Sequence, residues 1–484
     1  MNVFNALNEA AVGHLLFPAT SSLMNRRHIL QNFRRFRRTE WYPPERLIEI
    51  QESSLRKLVH YAYHSIPFYR ERFDAIGLRP DDIRHLADVT AIPPLTRQEV
   101  IDHHHRMVDS RCLPYARMAD SSSRGTGAPI AFARFRRERV VRNTSSGSTG
   151  APTIFYEDGA RTGLNWAHEL RFRNWFGIGP GAREARMARV STDYMPNGRD
   201  LLFRKFFWNQ LALPGVNLGE KDYEICHRSL ADFRPRVLWG FTSALAGFAG
   251  FVRDRGIDVS PYRPELVITW AAPMYEHEEA LLREVFQCHV TNIYGAREVG
   301  HIACRCPEGT FHINQESLLV EREDHRAPAS NGSGEILVTT LDLTIMPFIR
   351  YRMGDIGTIS SRPCACGRTL QNLEDLLGRT GEIFTTRDGR MISPNFWCRT
   401  FMSPALSEKI IRFQVVYRAN DDILIKLVRG NGFEKSTEDG LYRFLRDNFS
   451  EDIRITFQYV DEIKPQISGK YEMVVNETAR ETGV

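Results

Sequence analysis

Apolar residues near the start of the chain recur at helical spacing. They predict a helix within residues 45–75 that ends near Pro67, because proline cannot continue the hydrogen-bond ladder. A short helix is predicted after Thr96, whose side chain is a suitable N-terminal cap, and another over residues 165–176. The apolar positions of the first helix are Leu47, Ile50, Leu55, Leu58, Val59 and Ala62.

Short apolar runs alternate with helical segments through the centre of the chain. Residues 236–240, Leu266–Trp270 and 289–294 are predicted strands, and Glu276–Phe286 is a predicted helix between the last two. Strand–helix–strand order is typical of an α/β fold, in which ligands bind at the carboxyl ends of the strands.

The pattern changes after about residue 318. Turns rich in Gly, Asn and Asp separate short strands there, which predicts antiparallel pairing over residues 317–322, 334–340 and 357–360. A compact α+β unit of strands 411–418, 423–428 and 453–460 with a helix over 438–449 follows. We therefore predict an α/β protein with a large N-terminal domain of several subdomains, residues 1–377, and a small α+β C-terminal domain, residues 378–484.

Composition excludes some classes of protein. The 484 residues carry 64 basic and 59 acidic side chains, so the net charge of +5 gives no support to nucleic-acid binding. No segment approaches the roughly 20 apolar residues that span a bilayer. Residues 10–24 lack the basic-then-apolar order of a signal peptide, and we predict a cytoplasmic protein.

Two basic clusters with interspersed aromatic residues lie near the N-terminus. They are residues 26–28 (Arg-Arg-His) and residues 34–38 (Arg-Arg-Phe-Arg-Arg). A basic helix of this kind can make a weak contact with an anionic membrane surface, and the alternative is a solvated basic helix.

A loop rich in serine and glycine spans residues 144–152. Its backbone N–H groups and hydroxyls can surround phosphate oxygens, although a flexible linker has a similar composition. No Gly-Lys-Ser/Thr sequence closes the loop, so it is not a Walker loop. The candidate phosphate-binding residues are Ser146, Gly147, Ser148, Thr149 and Gly150.

Four further motifs follow in order. Tyr294 and Gly295 end an apolar strand, and Glu298 lies three residues after Gly295. A glycine at a strand end lets a ligand approach the backbone, and a carboxylate such as that of Glu298 can hold Mg²⁺. Asp355 follows a glycine at a strand end, where it can accept hydrogen bonds from a diol. For both of these motifs, the alternative interpretation is an ordinary turn at the end of a strand, without a ligand. The remaining motifs are Gly378-Arg379 and Ser468-Gly469-Lys470.

In order and approximate spacing, these five motifs resemble those of the adenylate-forming superfamily. Within it, the chain is similar to the phenylacetate–CoA ligase and CapK-like branch, and the resemblance spans residues 45–475. Segments outside the core motifs agree with that branch: residues 58–69, 171–177, 306–309 and 312–314.

The resemblance implies a function and a role for each motif. Residues 146–150 would bind the phosphates of ATP, and Tyr294 would lie near the adenine. Asp355 would bind the ribose hydroxyls, with Arg379 nearby. Glu298 would hold Mg²⁺, and Lys470, on a mobile C-terminal lid, would stabilise charge during adenylation.

Two departures from the family pattern affect these expectations. Gly381, beside Glu382, stands where relatives carry the acidic pivot of domain rotation, so the sequence leaves open whether it serves as the hinge. Residues 270–273 (Trp-Ala-Ala-Pro) stand where relatives often carry Gly-Glu, which bears on the acid pocket.

Two close pairs of cysteines lie about 60 residues apart. Four thiolates suit a structural tetrahedral Zn²⁺, and His301 or His312 can replace one ligand; the alternative is four buried, unlinked thiols. Some relatives carry a comparable cluster. The predicted zinc ligands are Cys304, Cys306, Cys364 and Cys366.

Three functions remain open on the sequence. The first is activation of a small carboxylic acid as an acyl-adenylate, with pyrophosphate release and transfer to coenzyme A. The second transfers the acyl group to an amine or hydroxyl instead, and the third is a non-catalytic homologue. Retention of Glu298, Asp355 and Lys470 together argues against the third.

Overall fold

A computed structural model of the protein describes most of the chain, in twelve stretches of five or more residues and three shorter ones. They are residues 3–21, 28–121, 132–133, 138–145, 153–188, 198–216, 218–323, 333–379, 382–385, 391–402, 406, 409–418, 422–449, 453–463 and 473–477. No helix among them is both long and apolar enough to cross a membrane.

Helices dominate the N-terminal region. Pro44 begins α4, where a missing N–H costs nothing, and Pro67 ends it because Ile66 must be extended before a proline. The predicted helix of residues 45–75 is therefore two helices. These first helices are α1 (Val3–Ala11), α2 (Phe17–Ser21), α3 (Ile29–Thr39), α4 (Pro44–Ser65), α5 (Pro67–Ala75), α6 (Arg97–His103) and α7 (Leu113–Ser121).

Local capping confirms one helix predicted from the sequence. The Thr96 hydroxyl accepts a hydrogen bond from the Glu99 N–H at 3.2 Å, and the Glu99 carboxylate accepts one from the Thr96 N–H at 2.8 Å. This reciprocal capping box fixes the start of α6.

The basic segment near the N-terminus forms an amphipathic helix. In α3, Ile29, Phe33 and Phe36 are buried against α8 (Gly159–Asn174), while Arg34 and Arg37 are exposed. The predicted contact of this segment with a membrane surface stays a prediction, and residues 26–27 lie outside the described residues.

One mixed sheet of eleven strands forms the centre of the large domain. Its order is β12-β13-β14-β15-β11-β10-β9-β8-β7-β5-β6. Its strands are β5 (Glu184–Ala188), β6 (Gln210–Pro214), β7 (Val237–Phe241), β8 (Leu266–Trp270), β9 (His289–Ala296), β10 (Gly300–Arg305), β11 (Phe311–Ile313), β12 (Leu318–Glu323), β13 (Gly334–Thr340), β14 (Tyr351–Ser360) and β15 (Asn372–Arg379).

The two ends of this sheet differ in strand direction. Strands β6, β5, β7, β8 and β9 are parallel, and β9 then pairs antiparallel with β10, from which the antiparallel half extends. Helices cover the parallel half, as right-handed crossovers require. These helices are α9 (Gly198–Phe207), α10 (Glu220–Phe233), α11 (Thr242–Asp254) and α12 (Glu276–Phe286).

Short antiparallel hairpins lie outside the main sheet. Strands β3 (Val141–Ser145) and β4 (Thr153–Glu157) pair with Ser145 opposite Thr153, so residues 146–152 connect the two strand ends. The other short strands are β1 (Phe132–Ala133), β2 (Glu138–Arg139), β16 (Phe384–Thr385) and β17 (Met391–Ile392).

The C-terminal residues have a core and a sheet of their own. Trp397, Phe413 and Leu445 lie at the centre of this core, which is separate from the clusters of the large domain. The predicted boundary at residue 378 stays a prediction. The elements are α13 (Pro394–Phe401), α14 (Lys435–Asn448), β18 (Ile410–Arg418), β19 (Asp422–Arg429), β20 (Arg454–Tyr459) and β21 (Val474–Asn476), with sheet order β20-β19-β18-β21.

Candidate functional site

Three residues from three strands form a polar cluster at the middle of the large sheet. The phenol of Tyr294 on β9 donates a hydrogen bond to Asp355 Oδ2 at 2.7 Å. Asp355 on β14 is the register partner of Arg379 on β15, and Arg379 Nε lies 3.8 Å from Asp355 Oδ1. Burial raises the pKa of Tyr294 and the Asp355 carboxylate raises it further, so the phenol stays a donor.

The turn after Tyr294 leaves no room for a side chain. A Cβ on Gly295 would lie 2.3 Å from the Gly300 carbonyl oxygen on β10. Gly300 itself has a φ of +76°, and a Cβ there would meet Asn165 Oδ1 at 2.3 Å. Glycine at both positions therefore sets the path of the turn that carries Glu298.

Glu298 lies in this turn and is 8% exposed. Burial raises the pKa of Tyr351, and the nearby carboxylates of Glu298 and Asp355 add to that effect, while Arg97 and Arg379 oppose it. Glu298 and Asp355 are thus close enough to act on the same phenol. A buried carboxylate oxygen at this edge is the kind of hard donor that Mg²⁺ prefers.

The predicted phosphate loop lies between strands that contact this turn. Arg297 Nη2 donates to Asn143 Oδ1 at 3.4 Å, and Asn143 Nδ2 donates to Glu157 Oε2 at 2.5 Å. These bonds tie the β3–β4 hairpin to the turn of Glu298. The loop residues themselves, Ser146, Gly147, Ser148, Thr149 and Gly150, lie outside the described residues.

A buried ionic cluster that the sequence did not predict joins β5 to α8. Arg186 on β5 pairs with Glu169 on α8 at 2.6 Å and with Glu184 at 2.8 Å. Its guanidinium carbon lies 4.8 Å from the ring centres of Trp166 and Trp239. An arginine within a short parallel strand is the signal that could have identified it, because such strands are normally apolar.

One further group belongs to this cluster. His301 Nε2 lies 3.2 Å from Glu169 Oε1, and His301 is not among the clustered cysteine and histidine side chains described below. Although burial acts to raise it, Arg186 and His301 hold the pKa of Glu169 well below its usual range. Glu169 is therefore ionised, and its carboxylate accepts hydrogen bonds from Arg186 and His301.

Backbone geometry is unusual where the acid pocket is expected. Ala271, immediately after β8, has a φ of +68°, a conformation that favours glycine. The Trp-Ala-Ala-Pro sequence thus keeps a glycine-like backbone at the carboxyl end of a central strand, with Ala271 exposed. Such strain is concentrated at functional sites.

The two cysteine pairs meet, with one change to the predicted set. Cys306, His312, Cys364 and Cys366 place one ligand atom each within 4.8 Å of one another. Cys304 is outside this group, and zinc binding by the predicted set of four cysteines stays a prediction. The thiol of Cys304 is fully buried in β10 and hydrogen-bonded with Thr291.

His312 takes the position predicted for Cys304. It is the cross-strand partner of Cys304 on β11, and its Nε2 lies 3.1 Å from Cys366 Sγ. Burial lowers the pKa of His312 to about 4, so the imidazole is neutral at physiological pH.

The C-terminal domain contacts the large domain beside the end of β8. Tyr275, at the start of α12, packs against the C-terminal core, and Glu276 pairs with Arg399 at 2.5 Å. Gly378 has a φ of +111°, and a Cβ there would lie 3.2 Å from Pro394. Lys470 and Gly381 lie outside the described residues.

Comparisons of sequence agree with the resemblance. Residues 384–477 match the CapK C-terminal domain family. Phenylacetate-coenzyme A ligase of Thermus thermophilus is 28% identical over 389 residues, covering 78% of this chain and 80% of that protein. Protein CapK of Staphylococcus aureus is 20% identical over 446 residues and covers 89% of both chains. The resemblance predicted from the motifs is confirmed.

Comparisons of structure confirm the α/β fold class. Crystal structures of 2-hydroxyisobutyryl-CoA ligase include one in the postadenylation state with R3-HIB-AMP; it has a TM-score of 0.68 at 17% identity, covering 92% of this chain and 93% of that chain. An anthranilate CoA ligase in complex with anthranoyl-AMP has a TM-score of 0.51 at 14% identity, over 70% and 67% of the chains. At these identities the likeness establishes the fold alone.

Proposed function

We propose that this chain, a homologue of the phenylacetate–coenzyme A ligases and of CapK, activates a carboxylic acid with ATP and transfers the acyl group to coenzyme A. The observation that carries the proposal is the convergence of separate motifs: Tyr294, Asp355 and Arg379 in one cluster, with Arg297 joining the adjacent turn to the β3–β4 hairpin. Relatives named as ligases of coenzyme A support that acceptor over an amine or hydroxyl.

The nucleotide would lie along this row of residues. The hydroxyls and N–H groups of residues 146–150 would hold the phosphates, and Asp355 Oδ1 would accept hydrogen bonds from the ribose hydroxyls. Tyr294 would border the adenine. Its bond to Asp355 holds that carboxylate in one orientation, so the ribose site is organised before ATP arrives.

Adenylation would then be a displacement at phosphorus. A carboxylate oxygen of the acid bonds to the α-phosphorus, the bond to the bridging oxygen breaks, and pyrophosphate leaves. Glu298 is suited to hold Mg²⁺, which when bound supplies positive charge to the phosphate oxygens. Lys470 would place its ammonium against the charge that develops in the transition state. In the second step the sulfur of coenzyme A would bond to the acyl carbon as its thiol proton passes to solvent, and the acyl carbon–oxygen bond would break with release of AMP.

The acid would bind near the end of β8. Trp270 and the exposed backbone at Ala271 lie at the carboxyl edge of the parallel strands, where α/β proteins bind their ligands. The Arg186 cluster lies behind Trp270, with the guanidinium carbon 6.0 Å from its ring centre. A rigid ionic support of this kind would fix the ring that borders the acid.

Pyrophosphate release tests the proposal. We expect a panel of carboxylic acids to include at least one that releases pyrophosphate from ATP, with AMP and an acyl-CoA formed when coenzyme A is added. Formation of acyl-adenylate with transfer to an amine or hydroxyl, and none to coenzyme A, would overturn the second step. No turnover of any acid, by protein that binds ATP, would favour the non-catalytic alternative.

Replacement of one lysine provides the sharper test. We expect Lys470→Ala to slow acyl-adenylate formation by about 10²–10³-fold and to leave ATP binding nearly unchanged, because the ammonium acts mainly on the transition state. Lys464→Ala, six residues earlier, is the control and should keep wild-type activity. Pyrophosphate release at wild-type speed by Lys470→Ala would contradict the assignment.

A further inference from the structure

Two turns of the same form bring three cysteines to one point beside β11. The carbonyl of Cys306 accepts a hydrogen bond from the Gly309 N–H at 2.9 Å, and the carbonyl of Cys364 accepts one from the Gly367 N–H at 3.0 Å. Both glycines have positive φ, +86° and +77°. Each turn therefore needs the glycine three residues after its first cysteine, and each presents a thiol on its inner side.

The distances between the ligand atoms distinguish a metal site from a disulfide. Cys306 Sγ and Cys364 Sγ are 3.7 Å apart. A disulfide would bring two sulfurs to about 2.0 Å, whereas two thiolates on a tetrahedral zinc, each about 2.3 Å from the ion, are about 3.8 Å apart. The sulfur pair thus has the spacing of two corners of a zinc tetrahedron.

The other two corners are an imidazole and a third thiol. His312 Nε2 and Cys366 Sγ are 3.1 Å apart, somewhat less than the roughly 3.5 Å of a nitrogen–sulfur edge at zinc. His312 is held in place by Trp175, whose ring meets it edge-on at 5.9 Å.

We propose that Cys306, His312, Cys364 and Cys366 bind one structural zinc ion, and that Cys304 is not a ligand. Three thiolates and an imidazole fill all four positions, so none is left for a water or a substrate. Soft sulfur donors with one imidazole in a tetrahedral arrangement select zinc over hard cations such as Mg²⁺.

The position of the site in the fold defines what the ion would stabilise. Cys364 and Cys366 lie in the connection from β14 to β15, the two strands that carry Asp355 and Arg379. His312 lies on β11, the strand next to β15 in the sheet. Zinc would therefore fasten the β14–β15 connection to the centre of the sheet and hold the two strands in register.

The same connection also contacts the segment between α3 and α4 and the residue that follows α8. The Thr369 hydroxyl donates to the Tyr42 carbonyl at 2.5 Å, and Arg368 stacks on Trp175 at 4.7 Å. Loss of the ion would loosen this contact as well, so its effect should reach the stability of the whole large domain.

Zinc content and the spectrum of a cobalt-substituted protein test the proposal. We expect about one zinc per chain in the purified wild type, and at least tenfold less in Cys364→Ser and in His312→Ala. Cys304→Ala, altered two residues from a ligand, is the matched control and should keep its zinc. Cobalt(II) in the chelator-treated protein should give the visible bands of a tetrahedral site with thiolate charge transfer.

Each contrary result overturns a defined part of the proposal. Wild type that holds no zinc, and takes up neither zinc nor cobalt when supplied, has no such site. Zinc lost in Cys304→Ala and kept in His312→Ala would restore the four-cysteine set. If a ligand variant fails to fold, two measurements on the wild type decide the question: the cobalt spectrum, and the melting temperature before and after zinc removal. A melting temperature that zinc removal does not change would count against a structural role.

Discussion

Glu157 is a buried acid that its surroundings leave partly uncompensated. It ends β4, opposite Val141 at the end of the β3–β4 hairpin away from the predicted phosphate loop, and is 9% exposed. Burial raises the pKa of Glu157 to about 7, although Arg161 and Arg297 act to lower it. At neutral pH this side chain is therefore divided between its charged and neutral forms, next to the residues that contact the turn of Glu298.

The pH dependence of stability should reveal this group. Because the pKa is higher in the folded protein than in the unfolded chain, the folded state binds the proton more tightly, and that stabilisation is lost as pH rises from about 4 to about 7. Relative to Glu157→Gln, the free energy of unfolding of the wild type should fall by about 3 kcal/mol between pH 4.5 and pH 8.

Urea unfolding at both pH values measures the difference. Glu284→Gln, an exposed position on α12, is the control and should follow the wild type at both. A difference between Glu157→Gln and wild type that does not change with pH would mean that the carboxyl titrates normally.

Residue-level prediction from the sequence was good for motifs and poor for buried polar partners. Tyr294, Asp355 and Arg379 were predicted as one site from their order along the chain, and the structure brings them together. In the cluster of candidate metal ligands, His312 stands in place of Cys304, because the pairing of β10 with β11 decides which side chain lies beside Cys364 and Cys366. No spacing within one strand contains that information.

Elements with strong periodicity were predictable, and elements defined by tertiary contacts were less so. Helix α12 and strand β8 have the bounds that the pattern predicts. The apolar face of α3 was not predicted, because clustered arginines obscured Phe33 and Phe36, which are buried only when α8 is present. The buried Arg186 within β5 was not predicted either, because its partner Glu169 is close to it only when α8 packs on the sheet.

The contact between α8 and β5 depends on the charges of Arg186. Its two partners, Glu169 and Glu184, are buried. Removal of the cation would take an ionic partner from each carboxylate, leaving Glu169 beside His301 and Glu184 beside Arg173. Breaking a buried pair in this way typically costs 3–5 kcal/mol, as a rough guide. We expect Arg186→Met to lower the free energy of unfolding by at least about 3 kcal/mol.

A surface ion pair gives the matched control for this change. Arg228 pairs with Glu224 at 3.4 Å, and its side chain is 73% exposed, so Arg228→Met should cost less than about 1 kcal/mol. Urea unfolding of both variants at one pH makes the comparison. Equal, small losses would show that the three tryptophan rings around Arg186 hold the strand without the ion pairs.

At the scale of the whole molecule, the described residues of the two domains meet beside the start of α12. Tyr275 packs against the C-terminal core and shares a hydrogen bond with Cys398, and the Glu276–Arg399 pair at its edge is exposed. Domains of one chain move relative to each other unless their interface is large and apolar. Domain rotation stays a prediction, and Gly381 remains its proposed hinge.

Tyr275 offers a way to test rotation without touching the proposed catalytic residues. If the two half-reactions use different positions of the C-terminal domain, the observed contact stabilises only one of them. Tyr275→Ala removes one buried aromatic contact, worth about 1–2 kcal/mol, which shifts the balance between two positions by about tenfold. Single-turnover rates of adenylation and of transfer to coenzyme A should then change by different factors. Glu276→Gln, which weakens only the exposed pair, should leave both rates near wild type, and equal losses in Tyr275→Ala would argue for a fixed domain.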